Sequence, residues 1–115
     1  MAEEISIREK STEPIILQAL ADGVAIDLSG IDHVEMRMMD AKGKTYLYSE
    51  LDVISSLVIT NASAGQVTFT PPNENIFKYT RTPYKLYLKI YDTPIEHYTV
   101  PESGEENIIN IRKEF

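Results

Sequence analysis

The chain has 115 residues and a mass of 13.0 kDa, which gives room for one core, and area scaling lets roughly two-thirds of the unfolded surface be buried without covalent staples. Hydrophobic residues make up 43% and charged residues 25%, too apolar for disorder, yet no apolar run approaches the ~20 residues that would cross a bilayer. Eighteen acids against eleven Lys and Arg leave a net charge of −7, which opposes attraction to nucleic-acid phosphates and anionic lipid surfaces and favours protein partners.

Cysteine is absent, so disulfides, thiolate metal sites and cysteine nucleophiles are excluded, and stability must come from packing and hydrogen bonding. The first residues, Met1 to Ile5, have neither a basic start nor the apolar stretch of a secretory signal. Synthesis and folding in a cytosol is the expectation. Nothing in the chain reads as a linker or a repeat, and residues 1–115 are expected to form a single domain.

Alternation with period two recurs from end to end, whereas no window sustains the i, i+3, i+4 pattern of a helix. Ile5 to Arg8 is a short first strand and Pro14 to Leu20 a second. The pair Asp22-Gly23 suits a tight hairpin. In His33 to Met39, Val34, Met36 and Met38 share one face while Glu35 and Arg37 share the other. Asp40-Ala41-Lys42-Gly43-Lys44 suits a type I turn closed by a left-handed glycine, so Thr45 to Glu50 should return antiparallel. Leu57 to Thr60 and Gln66 to Thr70 flank a turn at 61–65. Between Pro71 and Tyr79 the chain has the one segment suited to a helical turn, with Asn73 as its cap and Ile76 and Phe77 set against the core. Tyr84 to Tyr91 is long enough for a central strand, with Tyr84, Leu86, Leu88 and Ile90 pointing one way and Lys85, Tyr87, Lys89 and Tyr91 the other. Strands at Ile95 to Val100 and Asn107 to Arg112, separated by a turn at Pro101 to Gly104, complete the series.

About seven to nine short strands, evenly punctuated, predict an all-β fold: an immunoglobulin-like antiparallel β-sandwich, with a five-stranded barrel as the competing architecture and at most one helical turn near residues 73–79. The Cys and Trp hallmarks of antibody domains are missing.

No constellation names a reaction. His33 and His97 are the only imidazoles. Each lies beside a carboxylate, Glu35 or Glu96, and the spacing of two puts His33 and Glu35 on one strand face; two ligands are too few for a metal centre. Ser55-Ser56 and Ser103-Gly104 lack a nucleophile-elbow context, and five glycines form no phosphate-cradling loop. The segment Asp27 to Asp32, with Asp22 nearby, offers oxygens that calcium accepts, but turn capping is the commoner use of such residues. No enzyme activity and no cofactor are therefore expected. Two charge runs stand out: Lys78, Arg81, Lys85 and Lys89 without an acid, then Asp92, Glu96, Glu102, Glu105 and Glu106 without a base. On neighbouring strands these runs would pair across the sheet, and between molecules they would make a docking surface. Bases interleave with aromatics along Lys85, Tyr87, Lys89 and Tyr91, a pattern that suits protein contact and also resembles a platform on which single-stranded nucleic acid stacks.

The order of these features resembles the amino-terminal immunoglobulin-like domain of upper baseplate proteins (BppU) of tailed bacteriophages and related tail proteins. The resemblance is carried by Asp22-Gly23-Val24-Ala25-Ile26-Asp27-Leu28-Ser29-Gly30 before a strand, Ala64-Gly65-Gln66-Val67-Thr68-Phe69 in mid-chain, the Tyr-rich strand Tyr84 to Tyr91, and the return to Asn107 to Arg112. It implies a structural module of a phage or prophage tail or baseplate, made in the bacterial cytoplasm and built into the virion. There it would dock other virion proteins or copies of itself through sandwich surfaces, with Lys85, Tyr87, Lys89 and Tyr91 as contact groups. A β module that binds carbohydrate or single-stranded nucleic acid is the alternative.

Overall fold

The alternation along 33–39 and 84–91 produces the two longest strands of the protein, paired antiparallel over seven residues from His33↔Tyr91 to Met39↔Lys85. The structure is a computed structural model and describes residues 4–21, 23–53, 56–100 and 107–113. Asp22, Ser55 and the segment 101–106, with its expected turn and Glu102, Glu105 and Glu106, lie outside the described residues. In chain order the strands are β1 (Glu4–Arg8), β2 (Ile15–Gln18), β3 (Leu20–Ala21), β4 (Val24–Ala25), β5 (His33–Met39) and β6 (Thr45–Ser49), followed by β7 (Leu57–Asn61) and β8 (Gln66–Phe69). A 3-10 turn at Tyr79–Arg81 then leads into β9 (Tyr84–Tyr91), β10 (His97–Val100) and β11 (Asn107–Arg112).

These strands make a β-sandwich. The large sheet runs β1-β11-β9-β5-β6, and β10 shares with β11 the remaining side of β9: β10 takes Leu88 to Tyr91, β11 takes Tyr84 to Leu86. The small sheet is β2-β8-β7, and β3 and β4 form a separate two-stranded ribbon. All pairings are antiparallel as expected except β1 with β11, which is parallel. The inner faces meet in one core, with Val34, Met36, Leu86, Leu88, Ile90 and Ile109 from the large sheet against Ile15, Leu17, Leu57, Val67 and Phe69 from the small one. Each such side chain contributes roughly 1.5–3 kcal/mol relative to leaving it exposed.

Local chemistry shifts several element boundaries. The single strand expected over Pro14 to Leu20 is split at Ala19, whose N–H donates to the Gly65 carbonyl while its own carbonyl accepts from the Ile26 N–H. There the chain leaves β8 and pairs with β4. Gly65 sits at φ +68°, and a Cβ on it would lie 2.7 Å from the Ile26 carbonyl oxygen. Only glycine fits so close an approach. The strand expected from Ile95 begins instead at His97, because the Thr93 hydroxyl oxygen accepts from the N–H groups of Ile95 and Glu96 and holds a turn there.

The helical turn lies at Tyr79–Arg81, past the expected segment 73–79, which it overlaps at Tyr79 only, and Asn73 does not cap it. Asn73 Oδ1 instead accepts from the Asn75 N–H at 2.8 Å, a local bond that competes with helix formation. Phe77 is nevertheless fully buried. Tyr84, the first residue of β9, is also fully buried; its hydroxyl donates to the Ile76 carbonyl and accepts from the Lys78 N–H, both at 2.9 Å. A tyrosine that opens a core strand and bonds backward to the preceding connection is the tyrosine-corner device of immunoglobulin-like sandwiches.

The turn Asp40 to Lys44 contains a carboxylate that accepts four hydrogen bonds. Asp40 Oδ1 accepts from the N–H groups of Lys42 and Lys44 at 2.9 and 3.0 Å, and Oδ2 accepts from the Tyr46 hydroxyl and from Arg81 Nη1, both at 3.0 Å. Burial pushes its pKa up, but these four donors outweigh it and hold the carboxyl below its ordinary range. Burial and the bond to Asp40 push the Tyr46 phenol up in turn. Turn and 3-10 segment are further tied by the Ala41 N–H, which donates to the Arg81 carbonyl at 3.0 Å.

Candidate docking face on the large sheet

Because β9 is central and its inner residues are buried, Lys85, Tyr87, Lys89 and Tyr91 all project from the outer face, as their spacing predicts. The cross-strand neighbours on β5 are Met39, Arg37, Glu35 and His33 respectively. On β6, Leu47 continues the Tyr87–Arg37 row and is 70% exposed. Thr99 of β10 lies beside Lys89, and Ile108 of β11 beside Lys85. The face thus combines Lys85, Lys89 and Arg37 with Tyr87 and Leu47. No described acid lies within ion-pair distance of those three cations. A shallow depression of about 170 Å³ opens here, lined by Glu35, Arg37, Leu47, Ser49, Asp52 and Lys89.

Tyr91 differs from the other three. Its ring is stacked on His33 at 4.3 Å between centroids and meets His97 at 4.8 Å with the rings tilted by 31°, so both imidazoles of the chain contact one phenol. The Tyr91 hydroxyl donates to Glu35 Oε1 at 3.0 Å, and desolvation with the nearby carboxylate raises its pKa. His33 is buried rather than a surface residue, and its Nδ1 donates to Asp32 Oδ2 at 2.6 Å. The two histidines come from β5 and β10, the strands on either side of Tyr91. Among the described residues no three His, Asp or Glu are grouped as a metal would require. Asp27, one of the loop oxygens considered for calcium, accepts from both the N–H and the hydroxyl of Ser29, the geometry of a capped turn.

The two charge runs do not pair with one another in the described residues. Lys89 stands between Glu35 and Thr99, whereas Asp92 and Glu96 close the β9–β10 hairpin beyond the end of the sheet, with the Asp92 N–H donating to the Glu96 carbonyl. Arg81 turns away to Asp40. The sequence pattern placed the β9 residues on one face, but Arg37, Glu35 and Leu47 join them only through strand register, which a single strand's alternation does not reveal.

No protein-family model matches the chain, and no curated protein matches it at a significant level, so the likeness to baseplate domains rests on the turn-and-strand residues named above.

Proposed function

We propose that this protein is a non-catalytic assembly module of a phage or prophage tail or baseplate, and that it docks another virion protein through the outer face of its large sheet. The observation that carries the reading is the stripe of Lys85, Tyr87 and Lys89 on the long central strand β9, widened by Arg37 and Leu47. A rigid strand presents these groups at little ordering cost, and aromatic and Arg side chains set in a polar surround are what protein interfaces favour. In a chain of net charge −7 such a cationic face selects an acidic partner surface.

The test begins with the adjoining genes. The reading expects a tail-fibre, baseplate or tape-measure gene beside this one, and co-expression should co-purify that gene's product with this chain. The triple substitution Lys85→Glu, Tyr87→Ser and Lys89→Glu should abolish co-purification while leaving the β circular dichroism spectrum unchanged. Retained capture by the triple variant, or a neighbourhood free of virion genes, would remove the reading. The same interleaving of bases and aromatics supports a second reading, single-stranded nucleic-acid binding. Binding of an oligothymidylate that weakens steeply with added salt would favour it.

A further inference from the structure

Among the described residues, strand direction gathers a group of acids at one end of the molecule and most of the exposed cations at the other. Register brings the start of β5, the end of β6, the end of β9 and the start of β10 to one end, since His33, Tyr91 and His97 lie side by side and Ser49 pairs with Glu35. The loops there carry Asp32, Glu50, Asp52, Asp92 and Glu96, and residues 45–77 and 90–111 of the sequence contain no Lys or Arg at all. The opposite end gathers the β5–β6 turn, the entry to β9 and the ends of β1 and β11, because Arg8 pairs with Arg112 and Ile109 with Tyr84. It exposes Arg8, Lys42, Lys44, Lys78, Arg112 and Lys113, which outnumber Glu9, Glu13 and Glu74 beside them, and its buried acid, Asp40, is already matched by Arg81.

A second observation marks the acidic end as more than a solvated surface. Leu51, Val53 and Ile95 protrude from its loops with exposures of 67%, 103% and 83%. Leu51 lies between Glu50 and Asp52, Val53 follows Asp52, and Ile95 lies between Asp92 and Glu96 in the chain. Large aliphatic groups grouped at one end and rimmed by charge are the make-up of an interface centre. At the basic end Tyr79 is exposed, with the Lys113 ammonium 5.1 Å from its ring centroid.

We infer that the acidic, apolar-tipped end of one copy docks on the basic end of a second copy of this chain. The complement the acidic end requires is present on the molecule itself, at the opposite pole of the strands. Two different patches meeting in this way make a heterologous contact, which closes into a ring or repeats into a filament of copies arranged head to tail. The net charge of −7 opposes approach in general, and only end-to-end alignment brings opposite fields together.

Sedimentation velocity on the full chain tests this with charge reversal. Wild type at about 20 mM salt should form dimers and longer species as concentration rises, and should revert to monomer at about 500 mM, where screening is nearly complete. Asp92→Lys with Glu96→Lys cancels most of the negative charge at the acidic end and leaves the basic end intact; Lys42→Glu with Lys113→Glu cancels much of the exposed positive charge at the basic end and leaves the acidic end intact. Each double variant alone should stay monomeric, and an equimolar mixture should regain association, with affinity restored by about tenfold or more over either variant alone. Tyr87→Ser with Leu47→Ser, both in the middle of the outer face, should leave self-association intact, which separates this contact from the outer-face reading. The inference is overturned if wild type is monomeric at every concentration and salt, if either double variant still associates, or if the mixture stays monomeric. It is also overturned if the basic end binds a labelled oligothymidylate and wild type does not self-associate.

Discussion

The two ends of the sandwich carry opposite charge and are held by different kinds of bond. At the basic end, contacts reach between segments far apart in sequence: Arg81 to Asp40, the Ile111 N–H to the Thr82 hydroxyl at 2.8 Å, and the Lys10 N–H to the Phe77 carbonyl at 3.0 Å. At the acidic end the side-chain bonds are mostly short-range caps: Asp52 accepts from the Ser49 N–H, and Thr93 from the N–H groups of Ile95 and Glu96. The Asp40–Arg81 pair at the first end is therefore part of the fold, whereas Asp92 and Glu96 at the second are surface, and substitutions should separate the two.

The largest effect is expected at Asp40. Asp40→Ala strips the acceptor from four donors and leaves Arg81 without its partner, and should cost about 3–5 kcal/mol by urea denaturation. A loss below about 1 kcal/mol would erase the distinction between the ends. Acid should expose the same group. A carboxyl held below its unfolded value of 3.8 contributes stability that is present above that pH and lost as pH falls through the native value. Between about pH 5 and pH 2, wild type should lose stability more steeply than Asp40→Asn, and parallel curves would show that the four donors do not favour the ionised form.

Gly65→Ala comes next, since it forces a Cβ into a left-handed position beneath two carbonyl oxygens, at 2.7 and 2.9 Å. A cost of about 1–3 kcal/mol in the same assay is expected. His97→Ala removes one of the two rings on Tyr91 while His33 stays in place, and should cost about 0.5–1 kcal/mol. The smallest effect belongs to the acidic tip, where Ile95→Ser should leave folding within about 0.5 kcal/mol of wild type and act on self-association alone. A stability loss comparable to that of His97→Ala would show that Ile95 is packed in solution.

Apolar alternation was enough to determine, from the residues themselves, an all-β chain, the two long strands, the inward Tyr84 and the outward Lys85, Tyr87, Lys89 and Tyr91, because a strand's side chains must alternate. Turn chemistry likewise located the glycine-closed Asp40 to Lys44 hairpin, where Gly43 has φ +88°. What needed the tertiary structure is everything that depends on which strands are neighbours. The parallel β1–β11 pair, the His33–Tyr91–His97 ring contacts, the Arg81–Asp40 bond across 41 positions and the sorting of charge to two ends all follow from register and strand direction. Those are set by how the two sheets bury their apolar faces together, an energy shared over the whole core and written in no single segment.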